Sequence, residues 1–416
     1  MLLLSNISQL VTCKNDSAFP KKGIAQSDIG LRTNVNVLLD KSKIAFIGSA
    51  KSLSNHLKKN KVRVTKEIDC KNKVITPGFI DSHTHFVFAG NRENEYEMRI
   101  AGKTYQEIAA AGGGIISTVS SVRKASVNTL FELGEKRLSK FIETGTTTIE
   151  AKSGYGLDTA NEIKLLRVIN KLKKENKYGL DIVPTFLGAH SVPPYVTKEE
   201  YIKSICNEMI PKIANENLAE FIDVFCEVNY FDKDETDLIF YEGAKQGLIP
   251  KIHTDQFNSI GGVSVALKHN AVSVDHLEVL NDSDIKLLSG KNTIATLLPG
   301  VSYFLDISYQ PARKLIQNNV PVALATDFNP GSCPTQNMQF IMSLASVQLR
   351  MTAEEILNAV TINAAFAVNR QNLIGSIEKG KQADLLIFDI PSYKFITYNF
   401  GVNNISKVIK KGRIIK

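Results

Sequence analysis

Phe79-Ile-Asp-Ser-His-Thr-His85 is the stretch from which the rest of the chain is read. It begins as an apolar β-like run and ends on two histidines two positions apart, and residues i and i+2 of an extended strand project to one face. One cation can therefore meet both rings. Seven further short runs follow: Thr146–Lys152, Ile182–His190, Phe221–Glu227, Ile249–Asp255, Ala271–His276, Thr293–Leu298 and Val322–Asp327. Between them lie segments such as Glu162-Ile-Lys-Leu-Leu-Arg-Val-Ile-Asn-Lys-Leu172, whose apolar residues recur at helical spacing. Strands alternating with helices signal βαβ units and a parallel sheet, and eight alternations favour closure into a (β/α)₈ TIM-like barrel over an open doubly wound sheet.

In such a barrel the reactive side chains gather at the C-terminal ends of the strands. His83 and His85 close the first run, His253 stands near the end of the fifth, and His276 and Asp327 close the sixth and eighth. A single strand-end histidine is usually a satisfied core or surface group; several at one edge, with a carboxylate, read as a metal centre. Neutral imidazole and carboxylate suit Zn²⁺ or Fe²⁺, and a divalent ion lowers the pKa of water from about 15.7 to about 7. His56 and His269 belong to no strand end and read as ordinary surface residues.

The flanks differ in character. Short alternating pieces recur before residue 77 (Val35–Leu39, Lys43–Ile47, Val62–Lys66) and again near the C-terminus (Ala383–Phe388, Val408–Ile415). Since chain termini commonly lie close together, the α/β architecture expected is a barrel over 77–365 inserted into a small composite β-sandwich built from 1–76 and 366–416.

The chain has 416 residues, 43% hydrophobic, enough for one large core plus a smaller unit. No apolar stretch approaches the roughly 20 residues of a membrane helix, and Met1-Leu-Leu-Leu4 lacks a basic leader and a cleavage site, so the expectation is a cytoplasmic protein with no membrane partner. Five scattered cysteines with no CxxC pair argue for reduced thiols. The formal charge is +8, but the lysines are dispersed and no nucleic-acid-reading motif accompanies them, so no nucleic-acid partner is expected. A homodimer is the expected assembly, as the commonest among soluble homo-oligomers.

Thr76-Pro-Gly-Phe-Ile-Asp-Ser-His-Thr-His85, His253, His276, Asp327 and Gly375-Ser-Ile-Glu-Lys-Gly-Lys-Gln-Ala-Asp-Leu385 together resemble the amidohydrolase superfamily over nearly the whole chain. Glu150-Ala-Lys-Ser-Gly-Tyr-Gly156, Phe186-Leu-Gly-Ala-His190, His253-Thr-Asp-Gln256 and Ala325-Thr-Asp-Phe-Asn-Pro-Gly-Ser332 resemble, more narrowly, the imidazolonepropionase family within it. The resemblance implies one divalent ion, Zn or Fe, ligated by His83, His85, His253 and Asp327, with His276 catalytic but not a permanent ligand. Binuclear relatives carry a bridging lysine at the end of strand four. This chain has Val224-Phe-Cys-Glu-Val228 there, leaving Glu227 as a candidate tether for a second ion, and Lys152, at the end of strand two, reads as structural or supporting.

The family's reaction is hydrolysis of 4-imidazolone-5-propanoate, a ring amide with a carboxylate tail, to N-formimidoyl-L-glutamate in histidine degradation. The resemblance implies Arg92 as the bidentate holder of the tail, and Tyr105, Tyr155, His190, Gln256, Asn329, Gly331 and Ser332 as further substrate contacts. Many relatives are similar but have glutamate where Gln256 stands. An amide orients water or ring but removes no proton, so His276 and Asp327 carry the proton transfers. Gly112-Gly-Gly114 reads as a flexible loop, since it lacks the ending of a phosphate cradle. The rival readings are another cyclic amidase of the hydantoinase or dihydroorotase kind, a nucleobase deaminase, and a non-catalytic assembly protein on the same fold.

Overall fold

Each of the eight runs after residue 77 is a strand in the computed structural model, which describes residues 1–103, 107 and 112–416. Six strands precede them: β1 (Leu2–Ile7), β2 (Gln9–Leu10), β3 (Val35–Asp40), β4 (Lys43–Gly48), β5 (Lys66–Asp69) and β6 (Val74–Pro77). The eight are β7 (Phe79–Asp81), β8 (Thr146–Lys152), β9 (Asp181–Ala189), β10 (Phe221–Cys226), β11 (Ile249–Thr254), β12 (Ser273–His276), β13 (Ile294–Leu297) and β14 (Val322–Leu324). Then come β15 (Leu385–Phe388), β16 (Ile405–Lys410) and β17 (Arg413–Ile414).

β7 to β14 form one parallel sheet in chain order, with helices between successive strands. It closes on itself through a parallel bridge between Thr84 and Phe328, flanked by Asp327 N donating to His83 O (3.0 Å) and His85 N to Phe328 O (3.0 Å). The helix Thr159–Glu175 is typical of the outer layer: it buries Ile163, Leu165, Leu166, Val168, Ile169 and Leu172, and the Asp158 carboxylate caps its first turn.

Three expectations need correction. The first strand ends at Asp81 rather than His85, and the last at Leu324 rather than Asp327, because the ladder breaks where the barrel closes. The two histidines are nevertheless held extended, since Lys152 N donates to Thr84 O (3.0 Å) from the neighbouring strand, so both still point inward. Val62–Lys66 is not a strand. Pairing begins only at Lys66, and Val62 and Val64 pack instead with Leu3, Leu38 and Leu53 beneath the helix Ala50–Lys59.

The barrel interior is layered. Near the strand starts Ile80, Val183, Phe221, Ile294 and Ala323 pack with Ala364, Ala365 and Ala367 in an apolar plug. Higher up, where such barrels usually hold branched aliphatic residues, the interior carries Asp81, Glu150, Lys152, Asp223, Lys251 and Asp275, each at most 1% exposed. The two remaining sheets, in orders β4-β3-β1-β5 and β17-β16-β15-β6-β2, share one apolar cluster: Leu4, Val37 and Leu39 meet Ile75, Leu385 and Ile409. Both chain ends therefore enter one sheet, β6 pairing antiparallel with β15 (Thr76 with Leu386). All five cysteines are buried and free. Among the described residues no helix is long and apolar enough to cross a membrane.

Candidate metal centre

His83, His85 and His253 converge above the charged layer, each offering a ring nitrogen within 4.8 Å of the others. They are 0%, 2% and 3% exposed. His83 Nδ1 lies 2.7 Å from Asp275 Oδ2, and His253 Nδ1 lies 3.0 Å from Asp223 Oδ1. An ionised carboxylate can only accept, so both histidines donate from Nδ1 and keep a lone pair on Nε2. Those lone pairs point at one place: His83 Nε2 and His85 Nε2 are each 3.4 Å from Asp327 Oδ1, and His253 Nε2 is 3.4 Å from His85 Nε2.

Of these atoms, His83 Nε2 and Asp327 Oδ1 are buried with no hydrogen-bond partner. Buried polar atoms are normally paired, and a cation between them would satisfy both. A donor set of three imidazoles and a carboxylate, with carboxylates behind two of the rings, suits a divalent transition metal. Burial pushes the His253 imidazole down to about 3 against the opposing pull of Asp223, so it is the neutral form a metal requires.

The support beneath is a buried ionic lattice. Lys152 Nζ reaches Asp223 Oδ2 (2.7 Å) and Glu150 Oε1 (2.8 Å), with Asp275 Oδ2 at 3.9 Å. Lys251 Nζ donates to Ser82 O (2.9 Å) and stands 3.9 Å from Asp275 Oδ2. Glu150 Oε2 accepts Thr84 N (3.2 Å), between the two histidines. Burial disfavours the Lys152 ammonium, but Asp223 and Glu150 override it and raise its pKa. Two lysines thus keep the carboxylates ionised, and the ionised carboxylates fix the histidine tautomers. Lys152, expected to be structural or supporting, has that position.

His276 takes φ +84° and the following Leu277 φ +70°. Two consecutive left-handed side-chain-bearing residues are costly, and such strain clusters at functional sites. The turn brings the His276 ring within 5.2 Å of His253, centroid to centroid, and Nδ1 to 3.3 Å from Glu278 Oε1, itself held by Gln310 Nε2 (2.9 Å). Burial disfavours the imidazolium, but Glu278 outweighs it and lifts the His276 pKa. Nε2 is left for the cavity.

That cavity, about 380 Å³, lies within the range of small-molecule pockets, roughly 300–1,000 Å³. Of the residues expected at the site, Arg92, Tyr155, His190, Gln256, Asn329, Gly331 and Ser332 line it, together with His85, His253, His276 and Asp327. Tyr105 lies outside the described residues. His190 donates Nδ1 to Gly154 O (3.0 Å) and stacks on His85 with centroids 5.1 Å apart. Gly154 has φ +105°, and a Cβ there would come within 2.9 Å of His190 Nδ1, so only glycine fits. Asn329 Nδ2 and Ser332 Oγ donate to Asp327 Oδ2 (3.0 and 3.2 Å), bracing the carboxylate. Glu227, the candidate tether for a second ion, is not among the residues that line the cavity: its oxygens accept Val228 N, Phe257 N and Asn258 N. His56 and His269 are away from the cluster, stacked on Phe46 and paired with Asp237 respectively.

Sequence reasoning missed Asp223, Asp275, Lys251, Glu278 and Glu162, whose carboxylate gathers Gly154 N, Gly156 N and Leu157 N. A signal was present for three of them. Asp223 in Phe221-Ile-Asp-Val-Phe, Lys251 before Ile252-His253 and Asp275 in Ser273-Val-Asp-His276 are charges inside apolar strands, which a buried strand carries only when they are paired.

The profile of the amidohydrolase family matches residues 234–415. Over its full length the chain is similar to curated proteins named imidazolonepropionase. That of Shouchella clausii (strain KSM-K16) is 46% identical over 417 residues, covering 100% of this chain and 93% of the relative. That of Christiangramia forsetii is 43% identical, covering 100% of both. In fold the chain resembles an adenosine deaminase from Xanthomonas campestris with bound zinc (TM-score 0.72, 14% identity, 99% of this chain and 92% of that one). It also resembles Escherichia coli guanine deaminase (TM-score 0.72, 15% identity, 100% and 99%).

Proposed function

We infer the chemistry of this cavity from one premise: the chain belongs to the imidazolonepropionase family, within the amidohydrolases. It hydrolyses the ring amide of 4-imidazolone-5-propanoate to N-formimidoyl-L-glutamate, a step of histidine degradation. The observation that carries the site assignment is the convergence of three histidine nitrogens and the unpartnered Asp327 Oδ1 beside a cavity lined by His85, His253, Asp327 and Arg92.

One divalent ion, zinc or iron, would be held by His83, His85, His253 and Asp327. When bound it supplies Lewis acidity toward the ring carbonyl and acidifies water to a pKa of about 7. Asp327, braced at Oδ2 by Asn329 and Ser332, is the carboxylate placed to take the proton of the attacking water. His276, held through Nδ1 by Glu278, turns Nε2 to the oxygen on which negative charge develops. As the tetrahedral centre collapses the ring C–N bond breaks, and the proton taken by Asp327, or one from His276, goes to the leaving nitrogen. Gln256 orients and moves no proton. Arg92 holds the tail, and Tyr155 and His190 border the ring.

The test is ring opening of imidazolonepropanoate by the purified protein, followed as gain of one water in mass, with dihydroorotate, hydantoin and nucleobases as alternatives. Turnover of imidazolonepropanoate, abolished by a chelator and restored by zinc or iron, is expected. Turnover of a nucleobase alone would overturn the reading.

A further inference from the structure

We propose that Glu95 and Gly331 are positioning residues that turn Arg92 into a receptor for the substrate's carboxylate tail, an inference that rests on the reading of Arg92 above. Arg92 stands at the N-cap of the helix Glu93–Ile100, one turn before Glu95. Its Nε lies 2.9 Å from both Glu95 oxygens and its Nη2 2.6 Å from Oε2. A guanidinium has five N–H groups in a rigid fork. Glu95 occupies the side edge, using one N–H of Nε and one of Nη2. The end edge, one N–H of Nη1 and the second of Nη2, has no hydrogen-bond partner among the described residues, and it matches a carboxylate bidentately. Glu95 is itself anchored from outside the helix, since its Oε1 accepts Gly114 N at 2.9 Å. The pair is only 18% and 16% exposed, so this is not a loose surface contact.

Gly331 bounds the fork on the other side. A Cβ at this position would lie 2.0 Å from Arg92 Nη1 and 2.7 Å from Cζ. Its backbone is not left-handed, so glycine is there for the room it leaves rather than for its φ. A methyl group would displace the guanidinium, the end of a flexible side chain, and not the backbone. The loop that carries Gly331 is fixed by Asn329 Oδ1, which accepts Gly331 N (2.7 Å) and Ser332 N (2.8 Å) while Asn329 Nδ2 holds Asp327. The tail receptor and the reactive carboxylate are thereby set at a fixed spacing by one side chain, so a correctly held tail places the ring carbonyl.

The experiment is steady-state kinetics of metal-loaded R92A, E95A, E95Q, G331A and R92A/E95A on imidazolonepropanoate, with thermal midpoints as a check of folding. E95A and G331A should raise KM about tenfold with kcat within about twofold, the signature of lost binding common to ground and transition states. E95Q, which keeps one acceptor for the guanidinium, should recover part of the loss. In the R92A background E95A should add nothing, because its effect passes through the arginine. If R92A raises KM but E95A leaves it unchanged, or raises it equally with Arg92 absent, the positioning role falls and the tail site stands. If R92A itself leaves KM unchanged, the reading of Arg92 falls and takes this inference with it.

Discussion

A single carboxylate decides how a histidine meets a metal. Asp275 and Asp223 fix the Nδ1 protons of His83 and His253, and neither was singled out in the sequence, because strand-end histidines draw the eye and interior aspartates do not. Replacing either by asparagine removes the charge that favours the correct tautomer. D275N and D223N should each weaken zinc binding roughly 10–100-fold with the circular-dichroism spectrum unchanged. Competition against a chromogenic chelator measures this, and wild-type affinity in both variants would remove the support role. The ligands themselves, His83, His85, His253 and Asp327, were legible as residue types at strand ends. That Asp223 and Asp275 must be buried and paired was signalled by the apolar strands around them, but which ring each orients became legible only in the fold, since each belongs to a different strand from its histidine.

At the level of elements, the barrel and the composite sheets meet at glycine. Gly145, between the helix Val127–Glu143 and β8, has φ +98°, and a Cβ there would lie 2.6 Å from Ile405 Cδ1, 2.8 Å from Leu386 Cδ1 and 3.0 Å from the Phe79 ring. G145A would add both backbone strain and overpacking where β7, β15 and β16 converge. A loss of about 2–4 kcal/mol is expected, read as a lower denaturant midpoint at unchanged slope, with KM unaffected. A wild-type midpoint would show that the sheets give way there without cost. Strand existence followed from β-branched runs, yet the regular ladders of β7 and β14 stop short of His85 and Asp327, because past the last ladder bond the pairing continues as the isolated Thr84–Phe328 bridge where the barrel closes.

For the molecule as a whole, ion pairs tie the C-terminal strands to the barrel. Lys410 Nζ, 1% exposed, reaches Asp181 Oδ2 (2.8 Å) at the start of β9 and Asp384 Oδ2 (2.6 Å), and Lys411 Nζ reaches Asp181 Oδ1 (2.6 Å). Burial disfavours the Asp181 carboxylate, but Lys410 and its hydrogen bonds win and lower its pKa to about 2 from the ordinary 3.8. A carboxyl whose pKa is depressed by folding stabilises the fold above its unfolded value, and that contribution is lost as pH falls toward the folded one. The shift corresponds to about 2 kcal/mol, present at about pH 5 and gone near pH 2. D181N should therefore be less stable than the wild type at pH 5, with the gap closing as pH approaches 2. Denaturant melts at both values test it, and a gap independent of pH would rule the linkage out.

The sequence by itself determined the parallel eight-strand barrel, the edge at which its chemistry lies and the residues that can ligate a metal, because strand and helix periods and strand-end position are local properties of the chain. Tertiary structure alone decided that a lattice of Lys152, Lys251, Glu150, Asp223 and Asp275 fills the barrel beneath the metal centre. It also decided that Arg92 is held between Glu95 and Gly331. Pairing between charges depends on distances across strands far apart in the chain, and a one-dimensional pattern carries no such distances.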